Sequence, residues 1–472
     1  MTITSNIAPM TLTPLDDSSP LCRLSATELV AAYRTGDLRP SEVMAVVLER
    51  AEIVNQSFNA FVMIDHHGAL SAAREADLRW GRGEPASPID GVPVTVKDTI
   101  AVSGWPLRFG SAAIDASICV QDAPVIERLR AAGACFIGLT TTPEFGWKGV
   151  TDNRIDGTTL NPWDRTRTPG GSSGGAAVAA ACGVGPIHIG TDGGGSIRIP
   201  ASFCGVFGLK PSFGQVPAYP SSIFGTLAHI GPLTRTVDDA EVAMRIMSFA
   251  DARDWYQPRP FVTAFEITHA KGRPYRVGIC QKLAGVDVTA DVRAVFDAAI
   301  TKLAAGHVEI DSADLPLDQA RTIFATLWKV GAALRIEQIP EERRALNDPG
   351  LLAAAEQGHR LSATEYADAV TRRAQFGQAM DRLFEAYDFI VTPTLPVTPF
   401  AIGTDQPSSA CDGDFSGWLG FTYPFNLTQQ PACSVPCGRT AENLPVGLQI
   451  IAGRGKDSNL LKFAQIVSDL MK

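Results

Sequence analysis

The stretch APVIERLRAAGACFIGLTTTPEF, residues 123–145, changes character halfway along. It reads first as a helix that ends at Gly133. The next run, ACFIGLT, is short, apolar and does not alternate, so it reads as a strand buried on both faces. The same succession follows at once, with GGAAVAAACG as a helix and PIHIGTD as a strand. Upstream, DGVPVTVKDTIAV carries β-branched residues at alternate places behind a proline and reads as a further strand. Helices alternating with short apolar strands predict an α/β fold, a central sheet covered by helices on both faces.

The rest of the chain can be placed around that core. Residues 1–20 read as a loose arm. Ser25 is placed to cap a helix in SATELVAAYRTGDL, and Ser41 to cap a second in SEVMAVVLERAEIV, where Val43, Val46, Val47 and Leu48 fall near helical spacing. From about 253 to 385 the texture is mostly helical, with short strands in YRVGIC and HVEIDSADL. After 388, DFIVTPTLPV, PACSVPCG and PVGLQIIAG return to short apolar strands. The first and last thirds are therefore expected to share one sheet, with a helical insertion between them. There is no internal repeat and no low-complexity tract.

Bulk properties narrow the function. The 472 residues are 45% hydrophobic and 19% charged, enough for a sizeable core and unlike a disordered chain. The net charge of −9 comes with no run of Lys or Arg, which argues against nucleic acid as a partner. No apolar run reaches the roughly 18 residues of a membrane span, and the polar, acidic N-terminus does not resemble a signal peptide. The nine cysteines show no metal-binding spacing and read as buried thiols of a cytoplasmic protein. No metal site is expected.

Three places carry polar groups in small or apolar surroundings. Lys97, inside VTVKDT, reads on its own as an exposed strand residue. The run TPGGSSGGAAVAAA, residues 168–181, sets Ser172 and Ser173 between glycine pairs at the head of an alanine-rich helix. It lacks the GK[ST] ending of a phosphate loop, and close packing of the helix explains it equally well. In GTDGGGSIRIPA, residues 190–201, Gly193, Gly194 and Gly195 precede Ser196. Each glycine costs about 0.5–1 kcal/mol of order relative to alanine. Their bare N–H groups could converge on the negative charge that develops when a serine attacks a carbonyl. Such a serine needs a base. None of the seven histidines sits in a suitable setting, and His188 reads as a packed strand residue. A buried Lys97, stripped of its proton by desolvation, is the remaining candidate, acting directly or through Ser172.

Taken together, GVPVTVKDTI, NPWDRTRTPGG, GGSSGG, GTDGGGSIRIP, CGVFGLKPS, IGPLTRTVDDA and PVGLQIIAG strongly resemble the amidase signature family. The likeness is close over roughly residues 25–245 and looser over 385–470. It implies a single large domain, residues 21–472, with a signature core at about 85–245, a helical insertion at about 253–385 and C-terminal sheet segments at 386–472. It implies hydrolysis of amides, with esters and carbamates (urethanes) also open, through a Ser–cisSer–Lys triad and an acyl-enzyme. By motif, Ser196 would be the nucleophile, Ser172 the bridging serine behind a cis Gly171–Ser172 bond, and Lys97 the base. Gly193, Gly194, Gly195 and the Ser196 N–H would form the oxyanion hole. Asp192 and Arg198 would hold that loop as buried partners. Gly193 stands where many relatives carry a larger residue. The resemblance implies no cofactor.

The substrate is less legible. Trp147, Phe224, Trp418 and Phe421 would suit an apolar or aromatic amide, although each also suits a core. One branch of the family is the glutaminase subunit of a tRNA-dependent amidotransferase, which places an acid ahead of its PxNL segment. Here SGWLGFTYPFNL has none, so a free-standing amidase, monomeric or homodimeric, is expected first. A non-catalytic binding protein on the same fold is a third reading.

Overall fold

The apolar runs pair into one mixed sheet of eleven strands, numbered here in chain order. They are β1 (Phe61–Ile64), β2 (Pro93–Lys97), β3 (Cys135–Thr140), β4 (Ile187–Asp192), β5 (Phe207–Lys210) and β6 (His229–Thr234), then β7 (Tyr275–Ile279), β8 (Val308–Ser312), β9 (Phe389–Pro393), β10 (Ala432–Arg439) and β11 (Pro445–Ala452). The computed structural model describes residues 17–258, 273–281, 287–407 and 416–472.

Across the sheet the order is β1-β3-β2-β4-β6-β5-β10-β11-β9-β7-β8. β2 lies between β3 and β4 and is parallel to both, and all five of its residues are buried, as in parallel sheets covered by helices on both faces. The seam between the first and last thirds of the chain is the antiparallel pair β5–β10, with Leu209 opposite Cys433. The middle segment is mostly helical, but it also extends the sheet edge through β7 and β8, which are parallel to each other.

Local chemistry explains several boundaries. Helix α1 (Ala26–Thr35) starts at Ser25, whose side chain accepts from the Glu28 N–H while the Glu28 carboxylate accepts from the Ser25 N–H. Such a reciprocal cap is worth about 1 kcal/mol. Ser41 does not cap helix α2 (Pro40–Phe58). Proline, which needs no N–H partner, opens the helix instead. The Ser41 amide and hydroxyl both donate to Asp77. Residues 1–16 of the expected N-terminal arm lie outside the described residues, and the chain is already turned at Pro20–Arg23.

Helices α3 (Gly174–Ala181) and α4 (Arg198–Cys204) pack against each other and on one side of the sheet. Every residue of α3 is buried, and its Gly/Ala composition is what lets it lie that close. Helices α5 (Val237–Met247) and α7 (Asp457–Met471) pack together on the other side. Helix α6 (Ala320–Glu337), between those two in the chain, belongs to a smaller apolar cluster of Phe324, Leu327, Trp328, Tyr423 and Phe425. The eight cysteines among the described residues are free thiols. Among the same residues, no helix is long and apolar enough to cross a membrane.

Candidate active site

Lys97 is the last residue of β2, and Thr191 lies near the end of its parallel neighbour β4. Both therefore stand at the carboxyl edge of the parallel strands, where open α/β sheets place their ligands. Lys97 is 0% exposed, against the bland reading of VTVKDT as a surface strand. Its Nζ donates to Ser172 Oγ at 2.6 Å and to Thr191 Oγ1 at 2.9 Å. Among the described residues no carboxylate pairs with it. Burial, which disfavours the ammonium, lowers its pKa to about 7, with the charge of Asp192 working the other way. A lysine in this state is partly neutral at neutral pH.

The two adjacent serines are sorted by their hydroxyls. Ser172 faces Lys97, whereas Ser173 Oγ donates to the Thr191 carbonyl at 3.1 Å and the Ser173 N–H donates to the Ser196 carbonyl at 3.0 Å. Ser173 thus ties the serine loop to β4 and to the glycine loop. The Gly171–Ser172 bond is cis. Gly171 tolerates no side chain, because a Cβ there would lie 2.3 Å from the Val150 carbonyl oxygen.

The glycine loop is folded around a buried charge pair. Asp192 and Arg198 are both fully buried, with two guanidinium–carboxylate bonds of 2.9 Å. Burial alone would raise the Asp192 pKa, but the Arg198 charge, the hydrogen bonds from Arg198 and Asn426 and the Lys210 charge together outweigh it and hold the carboxyl well below the usual range. Arg198 spends its other donors on the Thr422 carbonyl, Gln449 Oε1 and Asn426 Oδ1. Asp192 in turn accepts from the N–H groups of Gly195 (2.7 Å) and Ile197 (3.2 Å). The Gly195 N–H is therefore committed to a carboxylate, and the expectation that it serves as an oxyanion donor is corrected. The N–H groups of Gly193, Gly194 and Ser196 have no partner among the described residues.

Ser172, Thr191, Gly193 and Ser196 open on one cavity of about 190 Å³. An apolar cavity of ~150 Å³ holds one benzene, so this space suits a ring with a short chain. Its remaining wall is largely apolar. Phe145 and Ile230 contribute, and Phe224 stacks on Trp328 with ring centroids 3.8 Å apart. Among the described residues no group of His, Cys, Asp and Glu has the arrangement of a metal site.

A buried lysine bonded to a serine, a glycine loop beside a second serine and a shared apolar cavity form one continuous unit. The family model described as Amidase matches residues 42–461. The chain belongs to the amidase family. Like the family, it is an amidohydrolase acting on carbon–nitrogen bonds. It is 35% identical to an acylamidase of Rhodococcus erythropolis, over 93% of this chain and 94% of the relative. It is 34% identical to a glutamyl-tRNA(Gln) amidotransferase subunit from Streptomyces coelicolor, over 95% and 96% of the two chains. Among solved structures, a bacterial aryl acylamidase of the amidase signature family superposes with a TM-score of 0.85 at 28% identity, covering 96% of this chain and 99% of the other.

Of the aromatic residues expected to bind substrate in this amidase, only Phe224 lines the main cavity. Trp147 is buried at a narrow adjoining recess that it shares with Gly194, Ser196 and Trp328, and its carbonyl accepts from Trp328 Nε1. Trp418 and Phe421 reach neither space. Trp418 is stacked on Phe203 within the core and Phe421 is 1% exposed. Both belong to the short turns of 417–427, whose backbone and Asn426 anchor Arg198, so their rings point into the core. The sequence reading missed Trp328 and Arg335. They lie seven residues apart, two turns on one face of α6, and that spacing was the available signal.

Proposed function

We propose that this amidase hydrolyses small aryl or otherwise apolar acylamides, with Ser196 as nucleophile, Ser172 as relay and Lys97 as base. The observation that carries this reading is the 2.6 Å contact of a buried, carboxylate-free Lys97 with Ser172, beside the cavity that Ser196 shares. Neutral Lys97 takes the Ser172 hydroxyl proton as Ser172 takes that of Ser196, and Ser196 Oγ bonds to the carbonyl carbon. The N–H groups of Gly193, Gly194 and Ser196 are the donors left for the oxyanion. The proton then returns through Ser172 to the leaving nitrogen, the C–N bond breaks and an acyl-enzyme remains. Water, deprotonated by the same relay, releases the acid. Esters and carbamates present the same carbonyl to the same groups.

The amidotransferase relatives raise a glutaminase reading. It is disfavoured because no Asp or Glu lines the cavity among the described residues, leaving a glutamine ammonium without a counter-charge. The test is a panel of anilides, primary amides, carbamates, aryl esters and glutamine, run with wild type, Ser196→Ala and Lys97→Met. Anilide turnover should fall by about 10³-fold or more in both variants. Equal turnover by Ser196→Ala overturns the assignment, and a preference for glutamine overturns the substrate class.

A further inference from the structure

We propose that Arg335 makes the cavity selective for amides that carry a carboxylate on the part of the substrate remote from the scissile bond. This inference deepens the acylamidase reading and rests on it for the location of the reacting bond.

Helix α6 presents one face to the cavity. Trp328 and Arg335 both line the space, and between them Gly331 has no side chain. A Cβ at Gly331 would lie 2.7 Å from the Phe224 ring, so its absence is what allows Phe224 to stack on Trp328. The Arg335 guanidinium lies 4.9 Å from the centroid of Phe145 and 5.9 Å from that of Phe109, and both rings also line the cavity. Its guanidinium is therefore part of the cavity wall, with the terminal nitrogen that meets Gln338 at the exposed rim.

That charge lacks an anion. Among the described residues no carboxylate pairs with Arg335. Its one side-chain partner is the neutral Gln338 Oε1, at 3.1 Å from one terminal nitrogen, and its Nε is buried with no acceptor. The other cavity residues supply no Asp or Glu. Other arginines are better satisfied. Arg79, Arg198, Arg253 and Arg273 each hold a carboxylate. Arg235 and Arg373, buried and also without a carboxylate among the described residues, spend their donors on backbone carbonyls and Thr226. A half-buried guanidinium against two aromatic rings is costly to leave unpaired, and its planar fork fits a carboxylate in two-point contact. Burial is also the sole influence on its pKa, which it lowers. A substrate carboxylate would complete the set, with the aromatic wall holding the ring and Arg335 the anion.

The carboxylate could sit on the amine side or the acyl side of the amide. Two matched pairs separate these: 4-acetamidobenzoate against acetanilide, and succinanilate against butyranilide. kcat/KM is measured for each with wild type, Arg335→Met and Arg335→Lys. In at least one pair the wild type should favour the carboxylated member. Arg335→Met should lower that ratio about 10–100-fold, chiefly through KM, and Arg335→Lys should restore part of it. A wild-type ratio near one in both pairs, or a ratio unmoved by Arg335→Met, overturns the proposal. The same pairs are titrated by calorimetry into Ser196→Ala and into the double variant with Arg335→Met. There the binding preference tests Arg335 without turnover, so failure of the nucleophile assignment and failure of the carboxylate site give different results.

Discussion

Lys97 Nζ lies 2.6 Å from Ser172 Oγ, and Thr191 Oγ1 at 2.9 Å is the only other side chain it bonds among the described residues. Neither neighbour carries a charge. The lysine is thus held where its neutral form is accessible and a hydroxyl proton is within direct reach. With its pKa lowered to about 7, the ammonium dominates below that pH and cannot accept a proton. kcat/KM for an anilide should therefore rise roughly tenfold per pH unit below pH 7 and level off above it. A flat profile between pH 5.5 and 8.5 would remove Lys97 from the role of base.

The same burial makes Lys97 a cost to folding. Its folded pKa lies below that of the unfolded chain. Between the two values the unfolded state binds the extra proton, so stability rises with pH across that window. At acid pH the folded protein must bury the ammonium. Lys97→Met, which fills the space without the charge, should match or exceed the wild-type Tm at pH 6, with the gain shrinking towards pH 9. Activity should be lost at both. A Tm lower than wild type at both pH values would mean that the lysine's hydrogen bonds outweigh its desolvation.

How much of this was legible in the sequence depended on whether the deciding contact was local. The helix–strand succession around residues 123–145 and 174–192 is set by local period, and the sheet follows it. The linked lysine, glycine and serine motifs were likewise local, and they pointed to Lys97, Ser172 and Ser196, which the fold brings together. Whether Lys97 is buried was not local. VTVK would read the same on a sheet with one open face, and what buries it is its place inside the parallel part of the sheet, where helices such as α3 pack on it. Trp418 and Phe421 looked like pocket residues because aromatic side chains serve core and cavity alike. Gly195 looked like an oxyanion donor until its N–H was found on Asp192, which depends on how the loop closes around Arg198. Trp328 and Arg335 were in plain helical register, but nothing local says which face of a helix meets a cavity formed by distant loops.

Removing one member of the buried pair should be far more damaging than its distance from the cavity suggests. Arg198→Ala leaves Asp192 charged and fully buried, a situation that typically costs about 3–5 kcal/mol. It also frees the acceptors on Thr422, Gln449 and Asn426. Urea unfolding of Arg198→Ala should show a loss of that size. Asp192→Asn keeps an oxygen for the Gly195 N–H but leaves Arg198 unneutralised, so it should be destabilised as well. A loss under about 1 kcal/mol in both would mean that water enters the pair.

The neighbouring glycines should separate stability from selectivity. Gly195 has φ +133° and a Cβ there would lie 2.4 Å from Thr422 Oγ1, so Gly195→Ala must move the loop that carries Ser196. Its activity should fall by a similar factor for every substrate, with a lowered Tm. Gly193 is not in the left-handed region, and a Cβ there would meet the Trp328 ring at 3.1 Å. That contact is tight, but the ring is part of the cavity wall, so the strain can be relieved by shifting it. Gly193→Ile should therefore narrow the cavity and lower kcat/KM for bulky anilides at least tenfold more than for acetamide, with a smaller change in Tm than Gly195→Ala. If Gly193→Ile slows all substrates alike, its side chain acts on the neighbouring N–H donors and not on the Trp328 wall.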